Sequence, residues 1–302
     1  MLLYIETPLQ YGTICPSVKC FQLDFSLFPG YFSYTMTISP KERSLNRKIL
    51  KRLKAYPHSL AEILLEDPEV RAMQEYANTV SIKRLGFNDH GPVHMRVVLM
   101  NAITMMELLR DAGIPTSLET EETGDFNDSL SAVMLASFLH DLGMSIGRQD
   151  HELHSTYLAY PIIDRLLKEV YPDDLQKRVA LRSLAIEGIV GHMAHHTIHS
   201  LEAGVILVAD GCDMERGRAR IPMFLNTSPK VGDIHKYSAN SIEKVTIEAG
   251  KELPVRIQVD MSTEVGFFQV EEVLLTKIAK STMKPYIELF AGVIGGELKR
   301  YL

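Results

Sequence analysis

The sequence predicts a mainly α chain: a helical bundle with a small C-terminal α+β appendage. Three observations carry that reading. From residue 41 to about 220, apolar residues recur three and four apart, the spacing of one buried helix face. After Gly232 the period drops to two in Ile242 to Glu248 and Val255 to Met261, as in half-buried strands. Between these stretches, Pro68, Pro92, Gly113, Pro115 and Gly250 fall where helices and strands start or stop.

Taken in order, residues 1–35 hold three charged side chains, Glu6, Lys19 and Asp24, among many aromatics. No basic start leads into an apolar stretch, so no secretory signal is expected, and residues 1–40 are read as an N-terminal extension. Lys41 to Lys54 carries seven Lys or Arg and one Glu, with Leu45, Ile49, Leu50 and Leu53 on one face. That is an amphipathic basic helix whose N-cap is expected at Ser44, its charges solvated. Short helices follow at 59–66 and 68–80, then a long one from Pro92 to about Ala112, ended by Gly113. Residues 116–127 are acidic and polar and read as a loop. Helices are expected over Leu130 to Leu139, 154–170 and 174–193, and a buried run spans Ala203 to Ala209. The appendage is read as ββαβ, its helix over Gln269 to Ser281 and its last strand over Ile287 to Val293. The domains expected are 41–232 and 233–302.

Composition excludes several classes of function. Hydrophobic content of 46% and charged content of 23% in 302 residues are those of a globular chain with a sizeable core. A net charge of −6 argues against general nucleic-acid binding, and no apolar run is long enough to span a bilayer. Three cysteines, Cys15, Cys20 and Cys212, make neither a disulfide framework nor a zinc knuckle, so a reducing cytoplasm is the expected compartment.

Histidine is the unevenly placed residue. Nine of eleven lie between His90 and His199. The stretch LSAVMLASFLHDLG is an apolar helix that ends on His140-Asp141, with Gly143 as a stop. An imidazole and a carboxylate buried together need partners: a hydrogen-bonded pair capping a core helix is one solution, a divalent metal the other. Further candidate ligands are His94 in the first turn of the long helix, His154, His192 and Asp210, with His90, His151, His195 and His196 as near competitors. Imidazoles with carboxylates suit Mn, Fe or Zn rather than Mg or Ca, and Asp141 can bridge two ions.

These residues resemble the HD-domain superfamily of metal-dependent phosphohydrolases, whose pattern is a His, an adjacent His-Asp pair and a distant Asp, all on helices. His94, His140, Asp141 and Asp210 match it in order, and LHDLG and VADGCDMERGRARIP look typical. More narrowly, RLGFNDHGPVH, GRQDHELHS, GRARIP and the tail from Ile234 resemble an uncharacterised archaeal and bacterial group within it; the likeness covers roughly residues 75–295. The resemblance implies an HD-type helical bundle with one or two divalent transition-metal ions (Mn, Fe, Zn, Co or Ni). It implies His154 and His192 as the additional ligands of a two-metal site, with His195 and His196 as competitors of His192. The HHExxDGxGYP signature of cyclic-di-GMP phosphodiesterases is absent, HHTIHS standing at the nearest place, and there is no P-loop.

The function expected is hydrolysis of a small phosphorylated substrate by a metal-activated water. Asp141 would hold the metals, and His90 or Asp89 would assist proton transfer. Arg216, Arg218 and Arg148 are the phosphate-binding candidates, with Arg220, Lys83 and Arg84 behind them. Two rivals stand beside it: an HD-type di-iron oxygenase built on the same ligands, and a non-catalytic nucleotide- or metal-binding sensor. The appendage would then signal, cover the site or hold a homodimer together.

Overall fold

The computed structural model describes residues 38–216 and 234–302. The first helix, α1 (Pro40–Arg52), starts where a reciprocal cap is available. Ser39 Oγ accepts from Glu42 N at 3.2 Å, and the Glu42 carboxylate accepts from Ser39 N at 2.9 Å. This corrects the cap expected at Ser44, which lies inside the helix. A capping box satisfies two orphan N–H groups where a lone serine satisfies one, and a good cap contributes ~1 kcal/mol. Helix α2 (Ala55–Glu66) starts earlier than expected, and Asp67 ends it while capping α3 (Pro68–Thr79). A π-helical turn, Val80–Leu85, prolongs α3 until Gly86 stops it at a φ of 71°.

The long helix α4 (Pro92–Asp111) has Pro92 in its first turn and Gly113 just past its end. The acidic stretch read as loop holds instead the short helix α5 (Ser117–Thr120) and the start of α6 (Phe126–Leu139). Its acids and hydroxyls are caps: Thr116 with Glu119, and Asp125 with Asp128, form two capping boxes. Every residue of α6 from Asp128 to Leu139 is buried. The helix is apolar on all sides because α2, α4, α8 (Leu175–Gly191) and α9 (Leu201–Gly211) all pack on it. Helix α7 (His151–Val170) lies against α8 and against a 3₁₀ turn, Leu142–Ser145, that follows α6.

The C-terminal part begins with α10 (Ile234–Ser241), β1 (Ile242–Ala249) and β2 (Val255–Met261). Helix α11 (Gly266–Gln269) then runs through a π turn, Val270–Leu275, into α12 (Thr276–Lys280), and β3 (Ile287–Val293) and β4 (Lys299–Arg300) close the chain. The sheet order is β1-β2-β3-β4, antiparallel at Val245↔Val259, parallel at Ile257↔Leu289 and antiparallel at Ala291↔Lys299. The helical run between β2 and β3 is the crossover that a parallel pair requires. Strand β4 joins the expected ββαβ as a fourth strand; two residues are too short to show a period.

Alternation on β2 buries Val255, Ile257, Val259 and Met261. These side chains join the same apolar cluster as Leu99, Ile103, Val133 and Leu135 of the bundle. Residues 38–302 accordingly group as one compact unit. The boundary expected at 232 falls in segment 217–233, outside the described residues, and the core is shared on either side of it. Residues 1–37, the bulk of the expected N-terminal extension, are likewise outside. Among the described residues no helix is long and apolar enough to cross a membrane.

Candidate metal centre

Five helix ends converge on one buried point. His94 lies in the first turn of α4 and His151 is the first residue of α7; His140 and His192 cap the C-termini of α6 and α8; Asp210 is in the last turn of α9. Asp141 follows His140 and is 2% exposed. Three helix C-termini against two N-termini leave a net partial negative charge here, which favours a cation.

The donor atoms form two triads that share Asp141. Asp141 Oδ2 is 3.3 Å from both His94 Nε2 and His140 Nε2, while Asp141 Oδ1 is 3.1 Å from His151 Nε2 and 3.3 Å from His192 Nε2. Asp210 Oδ1 faces the first triad, 3.3 Å from His94 Nε2 and 3.7 Å from His140 Nε2. His90 Nε2 stands 4.0 Å from Asp141 Oδ2.

Hydrogen bonds behind the rings decide which nitrogen faces inward. The Nδ1 atoms of His140, His192 and His151 lie 2.9, 2.6 and 2.9 Å from the carbonyl oxygens of Ser137, Ile189 and Arg148. A carbonyl can only accept, so each Nδ1 carries a proton and each ring turns its Nε2 to the centre. For His140 and His192 the same bond satisfies a carbonyl of the final helical turn, so helix capping and ligand orientation are one interaction. His94 Nδ1 is held by Asp213 Oδ2 at 2.6 Å, and His90 Nδ1 by the Asn88 carbonyl at 2.6 Å.

The result is a set of Nε2 atoms facing one another and two carboxylates. Nε2 of His94 and His140 are 3.2 Å apart, and Nε2 of His151 and His192 are 3.1 Å apart. At that separation, beside two carboxylates, these nitrogens need positive charge between them, as protons or as a metal ion. The ionisation behaviour expresses the same demand. Burial works against a charge on His140, yet the Asp141 and Asp210 carboxylates outweigh it and raise its pKa above the ordinary histidine value. Burial pushes His192 down to about 4, leaving it the neutral imidazole a metal requires. Burial also opposes ionisation of both aspartates, but His140 and His90 hold Asp141, and Lys277 holds Asp210, well below the usual carboxylate range. These buried groups can hold a metal ion, and the nitrogen-rich donor set fits first-row transition ions.

Rigid neighbours fix the ligands. Gln74 Nε2 of α3 bonds the Phe138 carbonyl at 2.8 Å just before His140. Asn101 Nδ2 of α4 bonds the Ala209 carbonyl at 3.2 Å just before Asp210. Gly143 N donates to Ser155 Oγ of α7 at 2.8 Å, tying the HD turn to the helix that carries His151. Asp89 Oδ1 accepts from Gly91 N at 2.7 Å and so shapes the turn that presents His90 and His94.

The structure brings together His94, His140, Asp141, His192 and Asp210, with His90 beside them. It corrects His154. Asp150 turns the chain at a φ of 52° and α7 begins at His151, so the ring at the helix mouth is His151, and His154 lies a turn further along outside both triads. His195 and His196 are exposed, His195 Nδ1 meeting Glu152 Oε1 at 2.8 Å. Arg148 sits at the rim, Nη1 3.5 Å from His151 Nε2. Arg216 is exposed and bound to Glu243 of β1 at 2.8 Å. Arg218 and Arg220 lie outside the described residues. Lys83 and Arg84 are exposed.

Two neighbours are not apparent from the sequence. Asp213 is signalled at most by its i, i+3 spacing from Asp210. Lys277 comes from α12, is 8% exposed, and bonds Asp210 Oδ2 and, at 2.8 Å, the His192 carbonyl.

The chain is 39% identical over 251 residues to an uncharacterized protein of Methanocaldococcus jannaschii, a match covering 83% of this chain and 95% of that protein. No family model and no solved structure matches the chain.

Proposed function

The chain belongs to one family with the Methanocaldococcus jannaschii protein, itself uncharacterized, so its function is read from the centre, and we propose that it is a metal-dependent phosphohydrolase of the HD superfamily acting on a small phosphorylated molecule. The observation that carries this reading is the charge of the donor set. Four imidazoles, His94, His140, His151 and His192, face two carboxylates, Asp141 and Asp210, and Asp213 adds a third carboxylate behind His94. The Lys277 ammonium already offsets Asp210. Two divalent ions here would still leave the centre cationic, the electrostatics that attract a phosphate dianion. When bound, the ions supply Lewis acidity, acidifying a water and offsetting the charge that builds on the phosphoryl oxygens.

The chain's own residues do the rest. Asp141 fixes the spacing of the two halves, since each of its oxygens belongs to a different triad. Hydrolysis joins a water oxygen to phosphorus and breaks the P–O ester bond, and the departing oxygen takes a proton. His90 turns Nε2 to the centre with Nδ1–H anchored on Asn88, so it is the side chain placed to hold that proton. Arg148 at the rim is the side chain placed to clamp a non-reacting phosphate oxygen.

The deciding experiment is elemental analysis of protein purified without chelators, then a phosphoester panel with Mn, Fe and Co. Metal-dependent release of phosphate or of a nucleoside supports the proposal. Iron content with O₂-dependent substrate loss would replace it with the oxygenase. Bound metal and nucleotide with no turnover across the panel would replace it with the sensor. Arg148→Ala is expected to raise KM for the cleaved phosphoester about tenfold with a smaller effect on kcat, since a charge-assisted hydrogen bond contributes ~1.5–3 kcal/mol. An unchanged KM removes Arg148 from substrate binding.

A further inference from the structure

We propose that Lys277 is a positioning residue of the centre: by holding Asp210 Oδ2 it leaves that carboxylate one oxygen for a metal and keeps a coordination position open to water and substrate. The proposal rests on reading the cluster as a metal centre, and not on phosphoester chemistry.

A buried ammonium is costly unless it is fully paired. Lys277 finds its partners at the centre: Asp210 Oδ2 on α9 and the carbonyl oxygen of His192 at the end of α8. One cation thus touches a ligand facing the His94–His140 triad and the backbone of a ligand in the His151–His192 triad. The division of labour on Asp210 is clear in the geometry. Oδ1 looks toward His94 and His140, and Oδ2 is bonded to the lysine. A carboxylate with both oxygens available can chelate and fill two positions on one ion. With Oδ2 engaged by an ammonium it fills one.

Lys280, three residues on, supplies the contrast. Its Nζ bonds the Ala194 carbonyl at 3.0 Å, pinning α12 to the same loop without touching a metal-binding carboxylate. Docking of α12 is therefore shared by two lysines, while control of Asp210 belongs to one.

The test uses the full-length protein, stripped with chelator and titrated with Co²⁺, whose visible absorbance weakens as its coordination number rises. Lys277→Met frees Asp210 Oδ2 and is expected to lower the Co²⁺ absorbance severalfold, with binding as tight as in the parent or tighter because a nearby positive charge is gone. Lys277→Arg keeps a cationic donor on Oδ2 and restores the parent spectrum; Lys280→Met leaves it unchanged. A folded Lys277→Met protein with the parent spectrum overturns the proposal, as does Lys280→Met giving the same loss. Should Lys277→Met lose the parent's circular dichroism, Lys277→Leu, which likewise offers Oδ2 no donor, takes its place under the same two outcomes. A parent that cleaves no phosphoester removes the function and leaves this comparison intact. A parent that binds no Co²⁺ overturns both.

Discussion

Asp141→Asn is expected to empty both halves of the centre at once. Elemental analysis should return protein nearly free of metal, and turnover of whichever phosphoester the parent cleaves should fall roughly 10³-fold or more, because several kcal/mol of transition-state stabilisation go with the ions. The reason is topological. Each triad has its own two imidazoles, but the carboxylate is common, one oxygen to each side. No single histidine has that reach. Asparagine keeps the shape of the side chain while removing the charge, and its amide hydrogens can donate to the inward Nε2 atoms that no longer share a cation. The fold should therefore survive. Far-ultraviolet circular dichroism and the melting midpoint in excess chelator should stay close to those of the chelator-stripped parent. Retained metal with lost activity would make Asp141 a reacting group rather than the bridge; full metal and full activity would remove the centre from the chemistry.

How much of this is legible in the sequence depends on how local each contact is. Helix α6 and its His140-Asp141 end are legible because an apolar run that stops on a paired imidazole and carboxylate has few other uses. His94 is legible through Pro92, which fixes where α4 begins. His151 and His154 are not separable from the string HELH, since both lie on one side of the helix. What separates them is the helix start, set by Asp150, a common capping type that here has a left-handed backbone and makes no side-chain cap bond. Asp213 and Lys277 are illegible for a different reason. Each touches a ligand far off in the chain, His94 at a separation of 119 residues and Asp210 at 67, and the one local mark is the i, i+3 spacing of Asp213 from Asp210. The small α+β tail is legible from its alternation, but that alternation says nothing about what the buried face of β2 packs on, and that partner is the bundle core.

Gly143→Ala should have the second-largest effect, and it shows a residue whose position is legible and whose purpose is not. As a helix stop, Gly143 would matter for a left-handed backbone, but its φ is not positive. The constraint is proximity. A Cβ placed on Gly143 would lie 2.0 Å from the His151 carbonyl oxygen, 2.7 Å from Ser155 N and 2.9 Å from the His151 carbonyl carbon. These are backbone atoms and cannot rotate aside, so the turn carrying Asp141 and the helix carrying His151 must separate. Overpacking of this kind costs ~1–3 kcal/mol and more where backbone is struck, whereas a metal site tolerates displacements of only about 0.5 Å. The separation opens between Asp141 and His151, leaving the His94–His140 side in place. Elemental analysis of the variant should thus give about half the parent's metal when the parent holds two ions, with a lowered denaturation midpoint. Gly147→Ala is the control, because a Cβ there meets nothing within 4 Å. If Gly143→Ala kept the parent's metal content and midpoint, the close approach of the 3₁₀ turn to α7 would not be what sets the distance between the bridging carboxylate and its second pair of imidazoles.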